Sequence, residues 1–442
     1  MANQVYRHFE DFIADNQKYD THICFGEEVT ALQEGCVIGN KSFSNRLACQ
    51  AMEGCDGTYS GEPNVLTKRR YKRLAKGGAG VIWYEATAVL PEGRANPRQL
   101  YINEANVDAF ARHVEEIKET GLKENGYEPK IFMQATHSGR YSKPNGVPKP
   151  LIAYNNPIFE KEHPIPANRI VTDDYLDLVK EKLVLGARLA ERAGFDGVDI
   201  KCCHRYLNSE LLSAYSRAGK YGGCFENRTR LLREAVQGAI QSTGPDFLVS
   251  SRLNVYDGFV YPYGFGVRED GGLEFDPAEP IQLTRMLYGY GVRLLNITMG
   301  NPYFNPHVNR PYAHGGYEAP EHPLTGVARM LNGTARLKAA VPGMKLLCSA
   351  LSFLGVAAPR VAAEYIRQGK FDFAGFGRTV LAYPDFAKDI LQSGEMDSAK
   401  CCICCSKCTE IMRQKGGTPG CVVRDSAVYA PIYKEFCGGN VQ

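Results

Sequence analysis

Six of the chain's 15 cysteines fall between positions 401 and 421: Cys401, Cys402, Cys404, Cys405, Cys408 and Cys421. Cys402, Cys405, Cys408 and Cys421 form a C-x2-C-x2-C-x12-C array. Cys401, Cys404, Cys408 and Cys421 form a second register, C-x2-C-x3-C-x12-C. A disulfide framework needs an oxidising compartment, and nothing in the sequence sends the chain to one. Thiols packed this densely in a reducing compartment are ligands for a metal or a cluster. Four thiolates suit an iron–sulfur cluster, with a zinc ion as the alternative. The run Gly416-Gly417-Thr418-Pro419-Gly420 lets the chain loop round so that the fourth cysteine meets the other three. The remaining cysteines are scattered and read as small buried apolar side chains.

A second set of polar groups stands at the ends of apolar runs. Gln134 is followed by Thr136-His137-Ser138-Gly139-Arg140, and Lys201 by Cys202-Cys203-His204-Arg205-Tyr206. Arg252 lies inside an apolar run, and Gly377-Arg378 closes another. Singly, each has a plain reading: a buried ion pair for Arg252, a backbone partner for Gln134, a solvated turn for Arg378. Converging from separate strands, they fit a planar cofactor with a phosphate tail. Gln134 would bond a ring amide, and Arg252 would neutralise an electron-rich ring edge. Backbone N–H groups near Ser349 and Gly377, with Arg378, would hold the phosphate.

Eight β-rich runs supply those ends: 43–52, 80–88, 130–136, 195–201, 246–254, 293–300, 345–351 and 372–378. Helical patterns lie near 67–77, 106–121, 173–193, 225–243, 277–289, 323–341, 358–369 and 385–393. The two sets are not expected to interleave perfectly, because a long loop separates strand three from the helix near 173–193. Strand–helix alternation implies parallel strands with right-handed crossovers, and eight units make a (β/α)8 TIM barrel, an α/β fold. An open doubly wound sheet is the alternative, but no GxGxxG follows a strand. Residues 41–394 are assigned to the barrel. Residues 1–40 are an N-terminal extension, expected to serve as a lid or a dimer contact, and 395–442 are the cysteine segment. The loops 137–172, 202–224 and 301–322 are long and should build the site.

Composition bounds the function. The chain of 442 residues carries Lys+Arg 52 against Asp+Glu 49, a net charge of +3. That balance gives no argument for nucleic acid or an anionic membrane. No apolar run is long enough to span a bilayer, and the polar start MANQVYRHFEDFIADNQ is not a secretory signal. A cytoplasmic location is expected.

Taken in order, NRLACQAMEG, GVIWYEATAVLPEGR, MQATHSGR, FDGVDIKCCHRYLNSELLS with KYGGCFENRTR, and DFAGFGRTVLAYPD resemble the old yellow enzyme (NADH:flavin oxidoreductase) family. The likeness spans about residues 40–392. It implies FMN on the C-terminal face of the barrel. By that resemblance Ala51 and Met52 line the flavin through their backbone, and Ala86 and Gln134 contact the rings. Arg252 sits at the pyrimidine end, and Ser349, Ala350, Gly377 and Arg378 bind phosphate. Four positions depart from the family: Ala350 replaces a usual glycine, and Glu53 stands where Thr or Cys tunes the flavin, so its charge should make reduction harder. Lys201 and His204 replace the usual pair that grips a substrate carbonyl.

The cysteine tail resembles the branch with trimethylamine dehydrogenase and 2,4-dienoyl-CoA reductase, which implies a [4Fe–4S] cluster on Cys402, Cys405, Cys408 and Cys421. Those relatives continue into nucleotide-binding domains. Here electrons are expected from NAD(P)H directly or from a separate donor protein. The resemblance implies an ene-reductase that delivers hydride from flavin N5 to an enone, enoate or enoyl thioester. Tyr206 matches the family's proton donor, His204 and Lys201 would stabilise the enolate, and Tyr303 and His307 could cap the substrate. Two alternatives stay open. One is an amine dehydrogenase or demethylase with an aromatic bowl, for which the single tryptophan, Trp83, lies in a strand. The other is a flavin/iron–sulfur electron-transfer subunit. An oxygen-sensitive cluster suits an anaerobic cytoplasm; homo-oligomerisation is left open.

Overall fold

The computed structural model describes residues 4–438. Eight parallel strands close into a barrel: β1 (Leu47–Cys49), β2 (Val81–Ala88), β3 (Lys130–Thr136), β4 (Gly197–Ile200), β5 (Leu248–Asn254), β6 (Leu294–Thr298), β7 (Lys345–Cys348) and β8 (Phe373–Phe376). The order round the barrel follows the chain, and β8 returns to pair with β1. Each strand is followed by its helix: α1 (Val65–Lys76), α2 (Val107–Asn125), α3 (Asp173–Arg192), α4 (Arg230–Ser242), α5 (Ala278–Tyr290), α6 (Pro323–Ala340), α7 (Ala358–Arg367) and α8 (Phe386–Ser393). The alternation is therefore strict, contrary to the expectation above. The long loop after β3 delays α3 without displacing it, because only the crossover must return to the sheet.

Local signals explain the helix boundaries. Thr172 caps α3 by accepting from the N–H of Tyr175, with Asp173 and Asp174 in the first turn. Gly126 ends α2 at φ 81°, a conformation that glycine adopts without a Cβ clash.

The barrel interior is layered. At its base Ala48, Val81, Trp83, Phe132, Leu294, Leu347 and Phe373 form an apolar plug. An antiparallel hairpin, Cys36–Ile38 with Lys41–Phe43, seals it from below through Ile38 and Phe43. The hairpin thus closes the end opposite the cleft, and the rest of the N-terminal extension packs along the outside of the barrel. Its helix Phe9–Lys18 packs Phe12 against Tyr6 and Phe25 beside the β7–α7 connection. Trp83 stacks on Phe132 at 4.8 Å, and its Nε1 donates to Asp199 Oδ2 at 2.7 Å. The tryptophan is core, not part of an aromatic bowl.

Above the plug lies a polar layer. Gln50 Nε2 donates to Asn296 Oδ1 and Ser349 Oγ, each at 2.9 Å, and Asn296 Nδ2 donates back to Gln50 at 2.7 Å. Each of these buried groups is hydrogen-bonded, so the floor of the cleft is rigid rather than wet.

The C-terminal segment folds over the same rim. Its helices are Lys407–Arg413 and Ser426–Cys437. Arg69 donates to both oxygens of Asp425 at 2.7 and 2.9 Å, and Arg73 joins at 2.5 Å. Arg98 reaches Gly416 O at 2.9 Å and Thr418 Oγ1 at 2.5 Å. No helix among the described residues is long and apolar enough to cross a membrane.

Candidate active site

One open cleft lies on the C-terminal rim. It gathers all the non-cysteine residues singled out for catalysis or cofactor binding: Ala51, Met52, Glu53, Ala86, Gln134, Lys201, His204, Tyr206, Arg252, Ser349, Ala350, Gly377 and Arg378. Tyr303 joins them; His307 does not. His307 Nδ1 bonds Tyr317 OH at 2.5 Å and faces a different surface groove.

Backbone irregularities aim these groups. The β2–β3 register shifts between Tyr84 and Ala86, which turns Ala86 into the cleft and Glu85 outward. Outside, Glu85 accepts from Arg70 Nη2 at 2.5 Å and from the N–H of Gly54 at 2.8 Å, and Arg70 also pairs with Asp56. This buried triad fixes the Met52–Gly54 strand end from behind. Gly54 is required there, because a Cβ would collide with the Arg70 guanidinium. After β4, His204 and Arg205 take φ 65° and 57° in succession, a strained turn that presents His204 and Tyr206 to the cleft. Arg205 is buried against Asp257 at 3.1 Å and holds the turn. Ala350 has φ 71°, in the left-handed region that favours glycine.

At the cleft's inner end, Asp199 organises two side chains. Its carboxylate accepts from Gln134 Nε2 at 2.6 Å and from the backbone N–H of Arg252 at 2.5 Å. Gln134 is left with its carbonyl oxygen free toward the cleft. Arg252 is buried, its Nε has no partner, and burial pulls its pKa down. The Ser349 hydroxyl is committed to Gln50 and Ile297 O, so only its backbone is free. At the opposite end stand Arg378 and Arg310, the latter missed from the sequence. Arg310 Nε and Arg378 Nη1 are both buried without partners.

Between the ends lies an ionisable cluster. Lys201 Nζ lies 3.7 Å from the centroid of the Tyr206 ring. The hydroxyls of Tyr206 and Tyr303 share a hydrogen bond of 3.0 Å, and Tyr206 OH lies 3.4 Å from Glu53 Oε1. Tyr141 stacks on Tyr303 at 3.9 Å. Gln99 donates to Glu53 at 3.0 Å. Burial raises the Glu53 pKa, against the pull of Lys201, Tyr206 and Gln99. Burial, then Glu53 and Tyr303, push Tyr206 well above the usual phenol range. Burial lowers Lys201, which Glu53 opposes. Burial, Arg252 and Lys201 hold His204 neutral, with Nε2 unpartnered. Lys201 makes no carboxylate ion pair; its positive end is placed over an aromatic ring instead.

Beside the cleft, Cys402, Cys405, Cys408 and Cys421 line a second, small cavity. Cys408, Arg378 and Leu381 line both cavities. Cys401 and Cys404 line neither, and Cys404 Sγ points toward Ser352 O at 3.7 Å. Cys404 and Ser406 take positive φ, 52° and 62°, on either side of Cys405. Backbone N–H groups of Cys404 and Arg424 donate to Cys402 Sγ at 3.4 Å and Cys421 Sγ at 3.2 Å. No three Cys, His, Asp or Glu side chains among the described residues are close enough to grip a single metal ion.

The family model described as NADH:flavin oxidoreductase / NADH oxidase matches residues 33–265, more than half of the chain. The protein belongs to this family of FMN-dependent oxidoreductases. It is 26% identical over 377 residues to an NADH oxidase of Thermoanaerobacter brockii, a match covering 83% of this chain and 52% of that protein. Two solved structures share the fold. One is 6-hydroxypseudooxynicotine amine oxidase from Pseudomonas geniculata N1 (TM-score 0.67, 19% identity, 90% of this chain, 54% of that one). The other is 2-naphthoyl-CoA reductase with 2-naphthoyl-CoA (TM-score 0.64, 20% identity, 82% of this chain, 52% of that one). The chain thus spans about half the length of these three relatives.

The cleft fits FMN. Its unpaired cations sit at two ends, Arg252 toward the barrel axis and Arg378 with Arg310 toward the rim, and their partnerless nitrogens call for an anionic, hydrogen-bonding occupant.

Proposed function

We propose that this protein is an FMN-dependent ene-reductase that carries a [4Fe–4S] cluster on Cys402, Cys405, Cys408 and Cys421. Its substrate is an activated alkene: an enone, enoate or enoyl thioester. The observation that carries this reading is the seat of Lys201. An amine oxidase needs an aromatic face for its alkylammonium substrate, and here the protein's own ammonium occupies the Tyr206 face. Lys201 and Tyr206 instead form a paired donor set suited to a carbonyl and its α-carbon.

FMN, when bound, supplies the hydride for the β-carbon, with NAD(P)H as the source of electrons. The chain's residues handle the rest. Lys201 and His204 donate to the substrate carbonyl oxygen and stabilise negative charge as it develops there. Tyr206 gives its hydroxyl proton to the α-carbon. Its raised pKa keeps that proton in place across the neutral range, and the bond to Tyr303 fixes the hydroxyl's direction. Gln134 and Arg252 bind the ring end of the cofactor, and Ala51, Met52 and Ala86 line it. Ser349, Ala350, Gly377 and Arg378 receive the phosphate. Glu53 lies close enough to Tyr206 and Lys201 for its charge to be partly balanced, which softens its expected penalty on flavin reduction.

The relatives' names divide between acyl-thioester reduction and amine oxidation, so the test must separate them. Oxidised protein is titrated anaerobically with alkylamines, and reduced protein is mixed with enones and enoyl-CoA esters. Flavin reoxidation by alkenes without bleaching by amines is the expected result; bleaching by an amine overturns the reading. A protein that answers neither, but exchanges electrons with a carrier protein, is the electron-transfer subunit.

A further inference from the structure

The flavin reading leaves Arg310 unassigned. It ends the short helical turn Pro306–Asn309 in the loop after β6 and lines the cleft beside Arg378. Its Nη1 donates to Ser406 Oγ at 3.0 Å, and its Nε is buried with no partner. Arg378 Nη2 donates to Pro311 O at 2.5 Å, and its Nη1 is likewise buried and free. Neither guanidinium is paired with a carboxylate among the described residues; Arg310 has Arg378, Arg413 and Cys408 as neighbours, and Arg378 has the thiols of the cysteine loop. Two like charges held together out of water require an anion between them. A phosphate monoester, with close to two negative charges at neutral pH, has the charge and the oxygens for both forks.

Ser406 gives the pair a second connection. It stands between Cys405 and Cys408, in the left-handed region at φ 62°, and its hydroxyl donates to His314 O at 2.6 Å. Arg310 therefore touches the cleft with one side of its guanidinium and the cysteine loop with the other.

We propose that Arg310 is a second phosphate-binding residue, acting with Arg378, and that through Ser406 it makes the cysteine loop tighter when the phosphate site is filled. The inference rests on FMN as cofactor and on the cysteine loop as the cluster site.

The test uses the full chain with its cluster intact and its flavin exchanged by dialysis, titrated anaerobically with FMN and with riboflavin by flavin fluorescence. Riboflavin has the ring and lacks the phosphate. Arg310→Met should lower the FMN-to-riboflavin affinity ratio at least about tenfold, with riboflavin affinity changed by less than about threefold. Arg310→Lys, which keeps the charge, should fall between. Iron loss to a chelator should be slower with FMN bound than with riboflavin bound in the wild type. That difference should vanish in Arg310→Met and in Ser406→Ala, while Ser406→Ala keeps the FMN preference. An unchanged affinity ratio in Arg310→Met overturns the phosphate role. Equal iron loss with the two flavins in the wild type overturns the link to the loop, and needs no variant to fold. A wild-type chain that binds neither flavin overturns the flavin reading itself, and this inference with it.

Discussion

The ammonium of Lys201 lies 3.7 Å from the centroid of the Tyr206 ring, and both residues are buried in one cleft. Lys201 directly follows β4, and Tyr206 follows the strained His204–Arg205 turn, so the chain doubles back to bring them together. The contact places a cation beside the phenol that is assigned the proton, and it fills the face that a cationic substrate would need. The proposed reaction direction and catalytic roles both rest on this pair.

Lys201 should govern the alkaline limb of the alkene half-reaction. Its pKa is lowered from the ordinary 10.5 by burial. The charged form donates to the carbonyl, so the rate should fall as pH rises through that lowered value. Tyr206, raised well above 10.0, should not contribute below pH 10. Lys201→Met should cost about 10²-fold in the rate of alkene reduction and abolish the alkaline limb. A limb that persists in the variant assigns it to another group.

The cysteine register can be settled by iron. Serine in place of Cys402, Cys405, Cys408 or Cys421 should each reduce the purified protein from about four irons per chain to below about one. Cys401→Ser and Cys404→Ser should keep the full complement, since neither side chain lines the second cavity. Iron and acid-labile sulfide assays decide it. Loss of the cluster in Cys401→Ser together with retention in Cys402→Ser contradicts the assignment.

The triad behind the cleft is a stability element. Arg70→Met leaves Asp56 and Glu85 buried without their shared cation, which should cost about 3–5 kcal/mol. Denaturant unfolding of the holo-protein measures it. Adding Asp56→Asn and Glu85→Gln should recover most of the loss; failure to recover assigns the loss to packing.

How far the sequence reached depends on the kind of signal. The eight strands were legible because fully buried parallel strands read as near-continuous apolar runs, as in GVIWYEATA. The strand-end residues followed, since barrel geometry sends all those ends to one rim. What stayed hidden lies in segments without a period. Arg310 and His307 share the loop 301–322, and nothing in its residue order says that one faces the cleft and the other Tyr317. Trp83 looks like any strand aromatic, and only the barrel shows it bonded to Asp199 in the core. The bulge at Glu85 leaves no local mark either, although the glycine at 54, which clears room for Arg70, was already part of the recognised motif.

The central claim, alkene reduction with Tyr206 as proton donor, is tested most directly by one anaerobic single-turnover experiment. Photoreduced protein is mixed with a cyclic enone or an enoyl-CoA, and the oxidised-flavin absorbance band is followed in the wild type and in Tyr206→Phe. The account predicts rapid return of the band in the wild type and a loss of about 10²- to 10⁴-fold in the variant, with photoreduction itself unaffected. Failure of the band to return with any activated alkene, or equal rates in the two proteins, contradicts it.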